Sequence, residues 1–96
     1  MQSLKIKISG KVYHTGYRYF IKQKASRLDI TGFVFYCPDQ SVEILAMGEN
    51  KNLNEFLKHC RTGNKDSRVE EIHLSEIPSL AFNSFEVVDE KTSNRS

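Results

Sequence analysis

Gly10–Phe20 reads GKVYHTGYRYF and separates two segments of different periodicity. Before it, apolar and polar residues alternate from Leu4 to Ser9, which predicts a half-buried strand that ends near Val12. After it, apolar residues recur at the spacing of an amphipathic helix, namely at Tyr17, Phe20, Ile21, Ala25 and Leu28. The stretch therefore predicts a strand, a short loop and a helix.

The start of this predicted helix suits an anion, and phosphate in particular. The N–H groups of a first helical turn have no partner within the helix, and they point at one spot together with the positive end of the helix dipole. Arg18 falls in that turn and adds a charged fork that matches two phosphate oxygens at once. Gly16 can adopt a left-handed conformation and lets a ligand approach the main chain closely. These residues indicate an oxyanion cradle, although an arginine at such a position is, by itself, more often an ordinary solvated helix residue.

The same stretch resembles the phosphate loop of the acylphosphatase family, which reads Gly-x-Val-Gln-Gly-Val-x-Phe-Arg. Gly10, Val12 and Arg18 match this pattern, and Tyr17 replaces the phenylalanine. Three further positions depart from it, with Tyr13 for Gln, His14 for Gly and Thr15 for Val. The resemblance continues at Ala25, Leu28, Thr31–Val34, Asp39–Glu43 and Gly48. It spans roughly residues 4 to 88, nearly the whole chain.

The remaining periodicity predicts an α+β fold with the order β-α-β-β-α-β and an extra terminal strand. The later predicted strands are Phe33–Tyr36, Ser41–Met47 and Phe82–Val88, together with a less regular strand that contains Val69, Ile72 and Leu74 and ends before Pro78. A second helix is predicted around Leu53–Cys60, with Asn52 and Glu55 as a capping box and Gly63 as its stop. This order is typical of the ferredoxin-like sandwich, an antiparallel sheet with two helices on one face, and acylphosphatases have that fold.

The same pattern sets the expected extent of the domain and its core. We expect one domain over residues 1–88 and a disordered tail over 89–96, which contains no apolar residue. Most of the following aromatic residues are predicted to lie in the core: Tyr17, Phe20, Phe33, Phe35, Phe56, Phe82 and Phe85.

The family resemblance implies hydrolysis of a small acyl phosphate, without a metal or other cofactor. An acyl phosphate is already reactive, so the protein needs only to hold the phosphoryl group, offset its charge and place one water in line. By position, the resemblance assigns phosphate binding to Arg18 and to the main chain of Tyr13, His14, Thr15, Gly16 and Tyr17. It also implies that inorganic phosphate can bind there.

The water-orienting residue is where this chain departs most from the family. Relatives read Gly-Trp-Val-x-Asn, and Tyr36 occupies the asparagine position here. A phenol has one donor-acceptor oxygen at the tip of a long ring, so Tyr36 either orients the water or fills its place. His14, which replaces a loop glycine, adds bulk and disfavours a positive φ. Arg18 and Tyr36 are thus the candidate catalytic residues.

Composition gives no support for several other classes of protein. The chain has 96 residues and a net charge of +2, too small to indicate a nucleic-acid or membrane partner. It contains no apolar run long enough to span a membrane, and its first residues lack the apolar block of a signal peptide. Cys37 and Cys60 leave a disulfide open, but two free thiols in a reducing cytoplasm are the favoured interpretation. We therefore expect a cytoplasmic protein. A monomer is the favoured interpretation, although a domain of this size with an open sheet face is also compatible with a dimer.

Two other functions are compatible with the residues. The chain could be an anion-binding module that keeps the cradle but is impaired in catalysis because Tyr36 replaces the asparagine. It could also be an RNA-binding sheet, because Thr31–Tyr36 partly resembles the aromatic motif of RNA-recognition domains. In those domains, however, the motif lies on the third strand rather than the second, with aromatic partners on the first.

Overall fold

The order of elements agrees with the predicted α+β fold. The computed structural model describes residues 1–79 and 82–88. Its elements are β1 (Gln2–Lys11), α1 (Tyr17–Arg27), β2 (Thr31–Tyr36), β3 (Val42–Gly48), α2 (Asn50–Thr62), β4 (Arg68–Glu76) and β5 (Phe85–Val87). The tail expected over 89–96 lies outside the described residues.

The five strands form one sheet in the order β4-β1-β3-β2-β5. Strand β1 lies between β3 and β4 and pairs antiparallel with both, and β2 pairs antiparallel with β3. The short strand β5 pairs parallel with β2 and makes the sheet mixed. Both helices contact each other and the sheet, so the ferredoxin-like prediction is confirmed. This topology brings the carboxyl end of β2 beside the loop that follows β1.

The core lies between the helices and the inward face of the sheet. Ile6, Ile44 and Val34 are fully buried and face one another across β1, β3 and β2. Alternation along β2 turns Phe33 and Phe35 to the opposite face, where both are only half-buried. These two rings, and the half-buried Phe82, are therefore exceptions to the prediction that most of these aromatic residues lie in the core.

Two predicted boundaries also differ from the structure. The capping box at Asn52 and Glu55 was wrong, because α2 begins at Asn50 and Glu49 is its N-cap. The Leu53 N–H already donates to the Glu49 carbonyl at 2.8 Å, which places Asn52 inside the helix. Gly63 ends α2 as predicted. The terminal strand is shorter than predicted, since it comprises only Phe85–Val87.

One buried polar contact joins the start of α1 to the end of α2. The Tyr17 hydroxyl donates to the Cys60 carbonyl at 2.8 Å, and both residues are fully buried. Burial raises the pKa of the Tyr17 hydroxyl far above its ordinary value and raises the pKa of the Cys60 thiol to about 12. Cys60 and Cys37 are both free thiols, as favoured from the sequence.

These two pKa shifts predict loss of stability at alkaline pH. Above the ordinary thiol pKa of 9.0, the unfolded chain loses a proton from Cys60 that the folded chain keeps. Because the folded state then binds more protons, the free energy of unfolding falls as pH rises from about 9 toward 12. We expect urea unfolding of Cys60→Ala to show a shallower decrease over this range than wild type.

Phe56→Leu is a suitable control, since it alters the same core without removing a titratable group. It should lower stability at every pH and leave the alkaline slope unchanged. An unaltered slope in Cys60→Ala would contradict the predicted role of the thiol.

Candidate active site

The loop between β1 and α1 is held in a tight, partly left-handed conformation. His14 has φ 58° and Gly16, the N-cap of α1, has φ 79°. The histidine thus adopts the positive φ that a non-glycine side chain disfavours. Within the loop, the Thr15 hydroxyl donates to the Val12 carbonyl at 2.8 Å. The Thr15 side chain therefore stabilises the loop from within. The main-chain N–H groups of the loop remain available for other contacts.

The first turn of α1 presents main-chain N–H groups without a protein partner. The helix has no side-chain cap and no acidic residue in its first turn. Its first regular bond runs from the Phe20 N–H to the Gly16 carbonyl at 3.0 Å. In residues 1–79 and 82–88, the N–H groups of Thr15, Gly16, Tyr17 and Arg18 donate to no protein acceptor. A helix start of this kind attracts an anion through both its donors and its dipole.

Arg18 lies beside these donors and has no protein counter-ion in the described part of the chain. One Nη donates to the Val88 carbonyl at 3.2 Å, and its Nε is buried without a hydrogen-bond partner. Since a guanidinium carries five N–H donors, most of them remain for a ligand. A charged donor left unpaired in this way is costly, and an anion would satisfy it.

Tyr36 connects the arginine to the loop. Its hydroxyl oxygen accepts the His14 N–H at 2.8 Å, and its ring centroid lies 4.0 Å from the Arg18 guanidinium carbon. The second distance is that of a cation–π contact, which favours the guanidinium at this position against the ring. Tyr36 thus contacts both parts of the predicted cradle, although 22 residues separate it from His14.

Two more rings complete the rim of the site. The rings of Tyr13 and His14 are stacked with centroids 3.9 Å apart, and Tyr13 lies 4.6 Å from Tyr36. Tyr13 is 37% exposed, whereas Tyr36 is only 9% exposed. The stack explains how His14 is accommodated: its ring packs on Tyr13 at the surface and does not enter the loop.

The structure brings all the predicted site residues together. They differ in whether the main chain or the side chain is available to a ligand. Tyr17 offers only its main chain, because its side chain is buried and bonded to Cys60. Two residues that contact the site were missed, Val88 through its carbonyl and Asn64 through its side-chain amide. The local sequence pattern indicates neither contact, because each joins segments that are remote in sequence.

Two further observations concern the described part of the chain. In residues 1–79 and 82–88, no cluster of three or more His, Cys, Asp and Glu side chains is placed to hold a metal ion. No helix in this part is long and apolar enough to cross a membrane.

Comparison with known proteins identifies the family. Residues 4–87 match the sequence model of the acylphosphatase family. The chain is 44% identical to an acylphosphatase of Clostridium acetobutylicum over 79 residues, which cover 82% of this chain and 87% of the relative. It is 39% identical to an acylphosphatase of Pseudothermotoga lettingae, covering 92% and 99% of the two chains.

A solved structure agrees with these sequence matches. The crystal structure of acylphosphatase from Bacillus subtilis superposes with a TM-score of 0.88 at 32% identity, covering 92% of this chain and 99% of the other. A shared fold alone would leave the function open, but here it accompanies identity along nearly the whole chain. The chain therefore belongs to the acylphosphatase family of hydrolases.

Proposed function

We propose that the loop from Tyr13 to Tyr17 and Arg18 bind the phosphoryl group of a small acyl phosphate, and that Tyr36 orients the water that hydrolyses it. The observation that carries this proposal is the arrangement of unpaired main-chain donors beside a guanidinium that lacks a protein counter-ion. These donors are fixed before substrate binds, so they can stabilise charge on the phosphoryl oxygens without reorganising.

The reaction needs no covalent intermediate on the protein. The water oxygen bonds to phosphorus while the bond from phosphorus to the acyl oxygen breaks, and the products are a carboxylate and phosphate. The proton of the water passes to the phosphate product or to solvent. The cradle supports this step by holding the three peripheral phosphoryl oxygens, which leaves the side of the phosphorus opposite the acyl oxygen open for in-line attack.

The hydroxyl of Tyr36 has the capacity to hold one water. A phenol has one donor and two acceptor sites, and the His14 N–H occupies one acceptor. In the described residues, the other acceptor and the donor have no protein partner. The hydroxyl can therefore accept a hydrogen bond from the water and donate one to a phosphoryl oxygen. The replaced asparagine would supply the same two functions through its amide.

Steady-state hydrolysis of acetyl phosphate and benzoyl phosphate tests the proposal. We expect both to be hydrolysed, inorganic phosphate to inhibit competitively, and a metal chelator to leave the rate unchanged. Binding of phosphate without turnover would contradict the catalytic part and would favour the anion-binding module, which the comparisons do not favour.

We also propose that the protein acts as a cytoplasmic monomer on small molecules and has no nucleic-acid partner. The net charge of +2 gives little attraction to a phosphate backbone. Phe33 and Phe35 lie on the open sheet face, but the first strand places Lys5 and Lys7 there rather than aromatic rings. Sedimentation should give the mass of one chain, and single-stranded RNA should not be retained in filter binding at low salt.

A further inference from the structure

The cradle loop requires support from outside its own sequence. It contains two left-handed residues within three positions, His14 and Gly16. Glycine in particular has many alternative conformations, so its φ must be fixed by contacts. Tyr36 holds one side of the loop through the His14 N–H. On another side, the Asn64 side-chain amide Nδ2 donates to the Thr15 carbonyl oxygen at 2.8 Å.

This second contact sets the direction of a cradle donor. In a trans peptide, the C=O and the following N–H are coplanar and point in opposite directions. The Thr15 carbonyl and the Gly16 N–H belong to the same peptide unit. When Asn64 holds the carbonyl, the Gly16 N–H must point away from Asn64. A rotation of this peptide would swing the donor away from its place and would meet little resistance from glycine.

Asn64 is itself held at a defined position. It follows Gly63, the residue that ends α2, and its main-chain N–H donates to the Ser67 hydroxyl oxygen at 3.1 Å. The Ser67 hydroxyl in turn lies 3.1 Å from the Asn64 carbonyl oxygen. The end of α2 is also joined to α1 by the bond from Tyr17 to Cys60. Because Asn64 is fixed at the end of α2, its side chain can restrain the loop.

A role confined to the turn after α2 would not require the Asn64 side chain. The Asn64 Oδ1 is buried and has no hydrogen-bond partner in the described part of the chain, which is unfavourable for an amide. The three Ser67 contacts of the turn use only the main chain of Asn64. The side chain thus makes one bond, and that bond goes to the cradle loop.

We propose that Asn64 is a positioning residue of the phosphate cradle, which fixes the Thr15–Gly16 peptide so that the Gly16 N–H is aimed at the phosphoryl group. The proposal rests on the proposed function of the loop. It predicts that loss of the Nδ2 donor weakens phosphate binding and lowers kcat/KM in parallel.

The test uses Asn64→Asp and Asn64→Ala with inorganic phosphate as the probe. Asn64→Asp keeps the shape of the side chain but replaces the donor with an acceptor that faces the Thr15 carbonyl. We expect the Kd for phosphate to rise and kcat/KM for acetyl phosphate to fall by about fivefold to tenfold, the value of one hydrogen bond. The phosphate-induced NMR shift of the Gly16 amide should also decrease. If Asn64→Ala is too unstable to measure, the Gly16 amide shift at phosphate saturation in Asn64→Asp decides the question, because the carboxylate charge weakens binding of an anion by itself.

Ser67→Ala is the matched control, because it removes the two hydroxyl contacts of the same turn but keeps Nδ2 and the main-chain bond from the Ser67 N–H to the Asn64 carbonyl at 3.2 Å, which still holds Asn64 in place. It should lower the Tm and keep the wild-type Kd for phosphate. Wild-type affinity and kcat/KM in the Asn64 variants, or an equal loss of affinity in Ser67→Ala, would overturn the proposal and leave the proposed function standing. Failure of wild type itself to bind phosphate at the loop would instead overturn the proposed function.

Discussion

Replacement of Arg18 by alanine is expected to lower kcat/KM for acetyl phosphate by a factor on the order of 10²–10³. The guanidinium lies beside the free N–H groups of α1, has no carboxylate partner in residues 1–79 and 82–88, and retains most of its donors. Its loss removes the only side-chain positive charge that we assign to the phosphoryl group. Arg18→Lys should recover only part of the activity, because an ammonium group is a point charge without the planar fork.

The control for this prediction is Arg27→Ala on the same helix. Arg27 is exposed in the last turn of α1, far along the helix from the cradle. It should leave kcat/KM unchanged, and circular dichroism should show that both variants remain folded. Comparable activity of Arg18→Ala and wild type would remove Arg18 from the reaction.

Tyr36→Phe is expected to lower kcat by a factor on the order of 10² and to change KM much less. The substitution keeps the ring that packs 4.0 Å from the Arg18 guanidinium carbon, so the arginine should stay in place. It removes the oxygen that we assign to the water. It also frees the His14 N–H, which gives the cradle one more donor, so phosphate affinity should not fall. A decrease confined to kcat would therefore mark Tyr36 as the water-orienting residue.

Tyr19→Phe provides a matched control for the loss of a hydroxyl. Its ring also lies near Arg18, with the guanidinium carbon 5.9 Å from the centroid, but it is 63% exposed. This variant should have wild-type kcat. Tyr36→Asn should retain more activity than Tyr36→Phe, because an amide restores a donor and an acceptor. An unchanged or higher kcat in Tyr36→Phe would show that the tyrosine only fills the water position.

Local periodicity was sufficient to predict the elements that form the site. The alternation before Gly10 and the helical spacing after Tyr17 predicted β1, the loop and α1, and the structure has β1 ending at Lys11 and α1 beginning at Tyr17. These features depend on short-range preferences of the backbone and on burial of one face. The same pattern placed Arg18 in the first turn of α1, whereas its assignment to phosphate binding came from the family resemblance.

Contacts between remote segments could not be predicted in this way. The bond from the His14 N–H to Tyr36 requires the end of β2 to lie beside the loop, which depends on the order of strands in the sheet. The contacts of Asn64 and Val88 depend likewise on how α2 and β5 are packed. The aromatic run of β2 gave no indication of which rings face the helices, and Phe33 and Phe35 both lie outside the core.

The most direct test of the cradle is an amide NMR titration of the wild-type protein with inorganic phosphate. We expect saturable shifts concentrated in the main-chain amides of Thr15, Gly16, Tyr17 and Arg18, together with the Arg18 side-chain Nε–H. A titration that leaves these signals unmoved, or moves mainly signals elsewhere in the chain, would contradict it.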